Sequence, residues 1–241
     1  MIGYIFLVIV AMYLVYLATK SKSSDVEIIL GQKKEIKAIG ERIQEVLDAE
    51  KTEKKAEREH KSVITEAKKL VGDKRLKQAE KKYLSIIKND HKNVKAYQGL
   101  GEIYLEQKEY EGAAEVFQKV SELDPTNDMA FTNQGMAFMQ LGKYEEAIHA
   151  YEHAVALDGK VPHRYINLAL AAEKAGDSKK QISALEHAVT LEPEKMEYLE
   201  VLANTAIAAE DNSAAKDALN KIIAIDPDNL EAHRKLARLE K

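Results

Sequence analysis

The sequence predicts an all-α protein of stacked antiparallel helix pairs, preceded by a single membrane-spanning helix and a charged helical spacer. Three observations carry this reading. Ile2 to Ala18, IGYIFLVIVAMYLVYLA, is uncharged and apolar. Residues 48–61, DAEKTEKKAEREHK, are almost wholly charged with mixed signs. From residue 94 onward, large and small apolar residues recur at steps of 34. A composition of 45% hydrophobic and 32% charged residues with only four prolines suits amphipathic helices.

The apolar run, taken as an anchor over residues 1–19, has 17 uncharged residues. That is the lower limit of the roughly 17–25 residues a bilayer-crossing helix needs. Tyr4, Tyr13 and Tyr16 lie toward its ends, where amphipathic rings favour the membrane interface. No Lys or Arg precedes the run and Tyr16-Leu17-Ala18 is a poor cleavage site, so a retained anchor is expected over a signal peptide. Lys20 and Lys22 follow directly, then Lys33, Lys34 and Lys37. Cationic flanks stay on the cytoplasmic side, so the expected localisation is a single-pass membrane protein with its C-terminal body in the cytoplasm.

Residues 20–59 form the spacer. Ile29, Ile36, Ile39, Ile43 and Val46 make a short stripe spaced like a coiled-coil seam, interrupted by Gly31 and Gly40. Residues 29–46 therefore read as partly coiled-coil-like. Two readings stand: a self-association helix, or an amphipathic helix resting on lipid or on the next domain. Beyond them the mixed charges suit a solvated helix. Net charge divides along the chain. Residues 20–93 hold 20 Lys/Arg against 14 Asp/Glu, a net of +6, and residues 94–241 hold 16 against 26, a net of −10. Interleaved glutamates and the lack of aromatics in the basic part argue against nucleic-acid binding.

The repeat then takes over. Tyr97, Phe131, Tyr165, Leu199 and His233 are successive steps of 34, as are Gly101, Gly135, Ala169, Ala203 and Ala237. Ala113, Ala147, Gln181 and Ala215 keep the step, and so do Phe117, Tyr151, Leu185 and Leu219. Pro125, Gly159, Pro193 and Pro227 close the units. Each unit reads as two amphipathic helices with a turn such as Gly142-Lys143 or Gly176-Asp177 between them. A single unit cannot bury its own apolar face, so neighbours must stack.

This pattern resembles the tetratricopeptide repeat family, most fully over 94–127, where Tyr97, Leu100, Gly101, Tyr104, Ala113, Phe117 and Pro125 are all in place. Repeat 2 is then 94–127, repeat 3 is 128–161, repeat 4 is 162–195 and repeat 5 is 196–229. A degenerate repeat 1 at 60–93 is anchored by Leu70, Ala79, Tyr83 and Ile86, and residues 230–241 read as a capping helix. The resemblance implies a right-handed superhelical solenoid whose first helices line a concave groove for a protein or peptide partner. The groove positions are Lys95, Gln98, Gly99, Glu102 and Leu105 in repeat 2, and Met129, Thr132, Asn133, Met136 and Met139 in repeat 3. In repeat 4 they are His163, Ile166, Asn167, Leu170 and Glu173. Asn133 and Asn167 are equivalent and suited to a peptide backbone, and the methionines offer a soft surface, unless they fill gaps between repeats. The family's carboxylate clamp, built of Lys, Asn and Arg, is not matched. At its positions stand Gln98, Glu102, Asn133, His163 and Asn167, or, starting one repeat later, Thr132, Met136, Asn167, Glu197 and Val201, with one agreement in each.

No catalytic residues, cofactor or metal site are expected. With no cysteine, thiol nucleophiles and Cys-held metals are excluded. Residues 149–153, HAYEH, do match the zinc-protease pattern H-x-x-E-H. In the 34-residue register Tyr151 is a core aromatic, while His149 aligns with Glu115, Ser183 and Asp217, and His153 with Lys119, His187 and Lys221. Both histidines are therefore expected on the water-facing side of a second helix. The expected function is a membrane-anchored scaffold holding a partner at the cytoplasmic face. One alternative is a regulator of a membrane-associated envelope-synthesis or proteolytic enzyme; another, with inverted topology, is a periplasmic or extracellular assembly factor.

Overall fold

The computed structural model describes residues 12, 13, 16 and 26–240, leaving aside the side chains of 26–33, 35 and 36. Most of the proposed anchor lies outside the described residues, as do the side chains of Ile29 and Ile36. Met12, Tyr13 and Tyr16 are helical and exposed. Among the described residues no helix is long and apolar enough to cross a membrane.

Eleven helices account for the rest, with no strand among the described residues. They are α1 (Val26–Gly72), α2 (Leu76–Asn89), α3 (Val94–Gln107), α4 (Tyr110–Leu123), α5 (Asp128–Gln140), α6 (Tyr144–Leu157), α7 (Pro162–Ala175), α8 (Ser178–Leu191), α9 (Met196–Ala208), α10 (Asn212–Ile225) and α11 (Leu230–Leu239). Two compact bodies divide the chain between Ser62 and Val63.

In the first body α1 runs unbroken through Gly31 and Gly40, so these glycines interrupt the apolar stripe but not the helix. Helix continuity costs each glycine only about 1 kcal/mol, which a long helix absorbs. Lys37–Glu41, Lys54–Glu50 and Lys55–Glu59 pair across one turn of its exposed surface. Such pairs add a few tenths of a kcal/mol each. Ile39 and Ile43 are half-buried and Val46 is exposed.

The second body is a stack of helix pairs. Ala67 and Leu70 at the end of α1 pack with Ala79, Tyr83 and Ile86 of α2 and with Ala96, Leu100 and Ile103 of α3. From there α3 pairs with α4, α5 with α6, α7 with α8 and α9 with α10, and each second helix also packs on the next first helix. Short connections force neighbouring helices to run antiparallel. The turn inside each pair places one residue in the left-handed region, at Lys74, Lys108, Gly142, Gly176 and Glu210, again in steps of 34. Glycine takes that conformation without the Cβ penalty that Lys74, Lys108 and Glu210 bear.

Tyr83, Phe117, Tyr151, Leu185 and Leu219, one per pair, are all at most 3% exposed. Each aromatic meets a residue that leaves it room. A Cβ on Gly101 would lie 2.7 Å from Phe117, and one on Gly135 2.7 Å from Tyr151. Where the large residue shrinks to Leu185 or Leu219, the small one grows to a buried Ala169 or Ala203. The summed volume is thus held roughly level from pair to pair, as close packing demands. Repeat 1 departs from this. Tyr83 reaches Gly99 of the following helix, and a Cβ there would run into its ring. Gly99, read from sequence as a groove position, is therefore buried core.

Gly135→Ala is expected to cost about 1–3 kcal/mol through overpacking. Combining it with Tyr151→Leu, which recreates the repeat 4 pairing, should cost less than the two single changes summed, by at least about 0.5 kcal/mol. Urea denaturation of the four proteins measures this, and additive costs would refute the volume pairing.

Candidate partner-binding groove

Helices α3, α5, α7 and α9 each turn one face to the stack. On α3 the buried residues include Ala96, Leu100 and Ile103, and on α5 they are Ala130 and Ala137 with Gly135 turned toward α6. On α7 they include Leu168, Ala169, Ala171 and Ala172, and on α9 Leu199, Leu202, Ala203 and Ala206. Residues spaced three and four apart on the opposite face necessarily point the other way. Asn93 and Asn127 begin two of these helices by accepting the backbone N–H groups of Ala96 and Ala130, at 3.1 and 3.0 Å. Such caps fix where the helix starts, and so which residues reach the groove.

The expected groove residues fall into two groups. Met129 is 53% exposed, Met136 40% and Leu170 44%. Lys95, Glu102 and His163 are also exposed, while Gln98, Thr132, Asn133 and Asn167 are half-buried. By contrast Leu105, Met139 and Ile166 are half-buried with side chains packed on the core. Met139 and Ile166 thus fill space between repeats as much as they face a ligand. The Thr132 hydroxyl donates to the Asp128 carbonyl at 2.9 Å and is occupied within its own helix. Among the described residues the amides of Asn133 and Asn167 make no hydrogen bond, which leaves both free for a ligand.

Continuing the same register, Val201 on α9 is 44% exposed. It stands 34 residues beyond Asn167, at the clamp position that the sequence register assigns it. Exposed Glu197 and Glu200 share its helix face. At the other end, crowding by protein raises the Glu102 carboxyl above its ordinary range, opposed by nearby Lys68. Tyr83 beside it is raised as well, mainly by burial and then by the Glu102 charge.

A buried cation sets the spacing at the groove's middle. Arg164 of α7 has a side chain only 8% exposed and pairs with Asp128 at the start of α5. It also reaches the Asp158 carboxylate and the Asp158 backbone carbonyl, each at 3.0 Å. These contacts tie repeat 3 to repeat 4.

The outer face carries HAYEH. Tyr151 is buried, whereas His149 is exposed and lies 3.7 Å from Glu152. His153 is exposed but does not simply face water. Its ring stacks on Phe131 with centroids 5.1 Å apart, and His187 repeats this on Tyr165 at 5.0 Å. Glu152 is engaged by Lys180 at 2.5 Å. Among the described residues no three His, Cys, Asp or Glu side chains are grouped to hold a metal ion.

Family models described as tetratricopeptide repeat match residues 129–160 and 162–195, and one described as TPR repeat matches 101–142. Among curated proteins none matches the sequence. Solved structures share the fold. YrrB, described as a TPR protein with an unusual peptide-binding site, has TM-score 0.58 at 22% identity, covering 71% of this chain and 89% of its own. MamA from Desulfovibrio magneticus RS-1 has TM-score 0.59 at 21% identity, with coverages of 71% and 97%. PilF of Pseudomonas aeruginosa has 0.55 at 17%, with 76% and 84%.

Removing the Arg164 head group strands two partly solvated carboxylates against each other. Arg164→Met is therefore expected to cost about 2 kcal/mol, below the 3–5 typical of a fully buried pair. Denaturant melts would show it, and a loss under about 0.5 kcal/mol would refute the bridging role.

Proposed function

The chain is built on tetratricopeptide repeats, and from that premise we propose that it is a non-catalytic scaffold holding a partner protein's peptide segment in the groove of α3, α5, α7 and α9. The observation that carries this reading is the exposed stripe of Met129, Met136 and Leu170 beside two unengaged amides, Asn133 and Asn167. Apolar side chains left open beside unpaired donors and acceptors are what an extended peptide needs: surface to bury and groups to bond its backbone. The peptide-binding site named for YrrB agrees in kind, as an analogy of fold.

The N-terminal apolar run and its following lysines support a retained anchor with the repeats on the cytoplasmic side. Tethering would then act by raising the partner's concentration at the membrane. Regulation of one membrane-associated enzyme is a special case of the same arrangement.

Met136→Glu puts a charge into the centre of the apolar stripe and should weaken partner capture at least about tenfold, the scale of a hot-spot loss. Ser183→Glu, on the outer face of α8, should leave capture unchanged. Photocrosslinking from Leu170 in cells, followed by partner identification, compares the two. Equal capture by both variants would place the partner elsewhere.

Topology has a clean assay because the chain holds no cysteine. A single Glu194→Cys variant in intact cells should react with a membrane-impermeant maleimide only after permeabilisation, and the protein should stay in the membrane pellet at alkaline pH. Labelling of intact cells would invert the topology.

A further inference from the structure

Charge along the groove is not uniform, and it says which kind of peptide fits. Its middle, Met129, Met136 and Leu170 with the two asparagines, carries no carboxylate or ammonium group. At the repeat 2 end the Glu102 charge is offset by nearby Lys68, and Lys95 is exposed two turns before it on the same helix. The repeat 5 end differs. Glu197 and Glu200 are exposed on the groove face beside Val201, and neither forms an ion pair among the described residues. Of the nearby cations, Arg234 stands 34 residues beyond Glu200 and is exposed near Glu231, while the lysines on either side are engaged. Lys174 pairs with Glu173 at 3.3 Å, while Lys235 donates to Asn204 at 2.7 Å and pairs with Glu231 at 2.6 Å. The whole of residues 94–241 is acidic, net −10.

Resting on the groove reading above, we infer that the partner segment has an apolar centre flanked by Lys or Arg, with its cationic end over repeat 5. An acidic flank would meet Glu197 and Glu200 as like charges at short range, which disfavours wrong partners more than it strengthens right ones. A cationic flank would gain from the two free carboxylates and from long-range attraction to the acidic solenoid. The apolar centre would bury against methionines able to repack around different side chains.

The full-length protein, immobilised, is panned with a random peptide display library and counter-selected on its Met136→Glu variant. The expected result is groove-dependent peptides enriched in Lys/Arg at one flank of an apolar core. Synthetic versions should lose about two- to fivefold in affinity for each of Glu197→Lys and Glu200→Lys, the worth of an exposed ion pair. That loss should shrink at high salt. Groove-dependent peptides without cationic bias, or indifferent to both reversals, would overturn this inference and leave the groove reading standing. Peptides indifferent to Met136→Glu would overturn both. If Met136→Glu alone converts a sedimenting oligomer to monomer, the groove holds a second copy of this chain and the inference also falls.

Discussion

The contact on which the rest of the solenoid depends is a large side chain of each second helix set against a small residue of the first. Phe117 over Gly101 and Tyr151 over Gly135 bring two backbones closer than any Cβ at the glycine would allow. Once that distance is set, the rotation of each first helix follows, because the small residue must look at its partner. The groove face is what the buried residues leave, and Met136 lies only roughly 100° around the helix from Gly135. Groove geometry is thus a by-product of core volume, which links the identity of residue 135 to the presentation of residue 136.

The same constraint explains how much of the protein was legible in its sequence. A feature present in every pair shows itself by recurrence. The buried aromatics and leucines, the small residues facing them and the left-handed turn positions all recur at 34. So do the groove positions occupied by Asn133 and Asn167. Features that occur once leave no such trace. Arg164 stands where Ala96, Ala130 and Ala232 stand elsewhere, and those are buried in the core. Nothing in the spacing announces that a guanidinium there would find Asp128 and Asp158. Gly99 has the register of a groove residue but the size of a packing residue, and Tyr83 decided its role. Periodicity assigns a face, whereas only the actual neighbour decides whether that face is open.

HAYEH shows the reverse error that local pattern matching invites. Two histidines four apart with a glutamate between them satisfy the spacing of a metal-binding helix. The structure gives each a different occupation. His149 lies by Glu152 in open solvent, and His153 has one ring face covered by Phe131. Stacking of this kind, repeated by His187 on Tyr165, covers the face of a half-buried aromatic with a planar group whose other face meets water. A histidine is well suited to that place because it is flat and half polar.

The groove itself joins two demands that pull in different directions. Recognising a backbone asks for donors and acceptors held in place, and Asn133 and Asn167 sit half-buried on helices whose spacing Arg164 fixes by bonding across the repeat boundary. Accepting varied side chains asks for a surface that yields, and the exposed methionine on the turn next to Asn133 supplies it. Rigid amides beside a soft apolar stripe separate the two tasks in space. Affinity can then come from buried area and peptide direction from the amides, while selection among peptides falls to the charges at the groove ends. A scaffold of this kind discriminates by what it repels as much as by what it holds, and the unpaired glutamates of α9 are placed to do so.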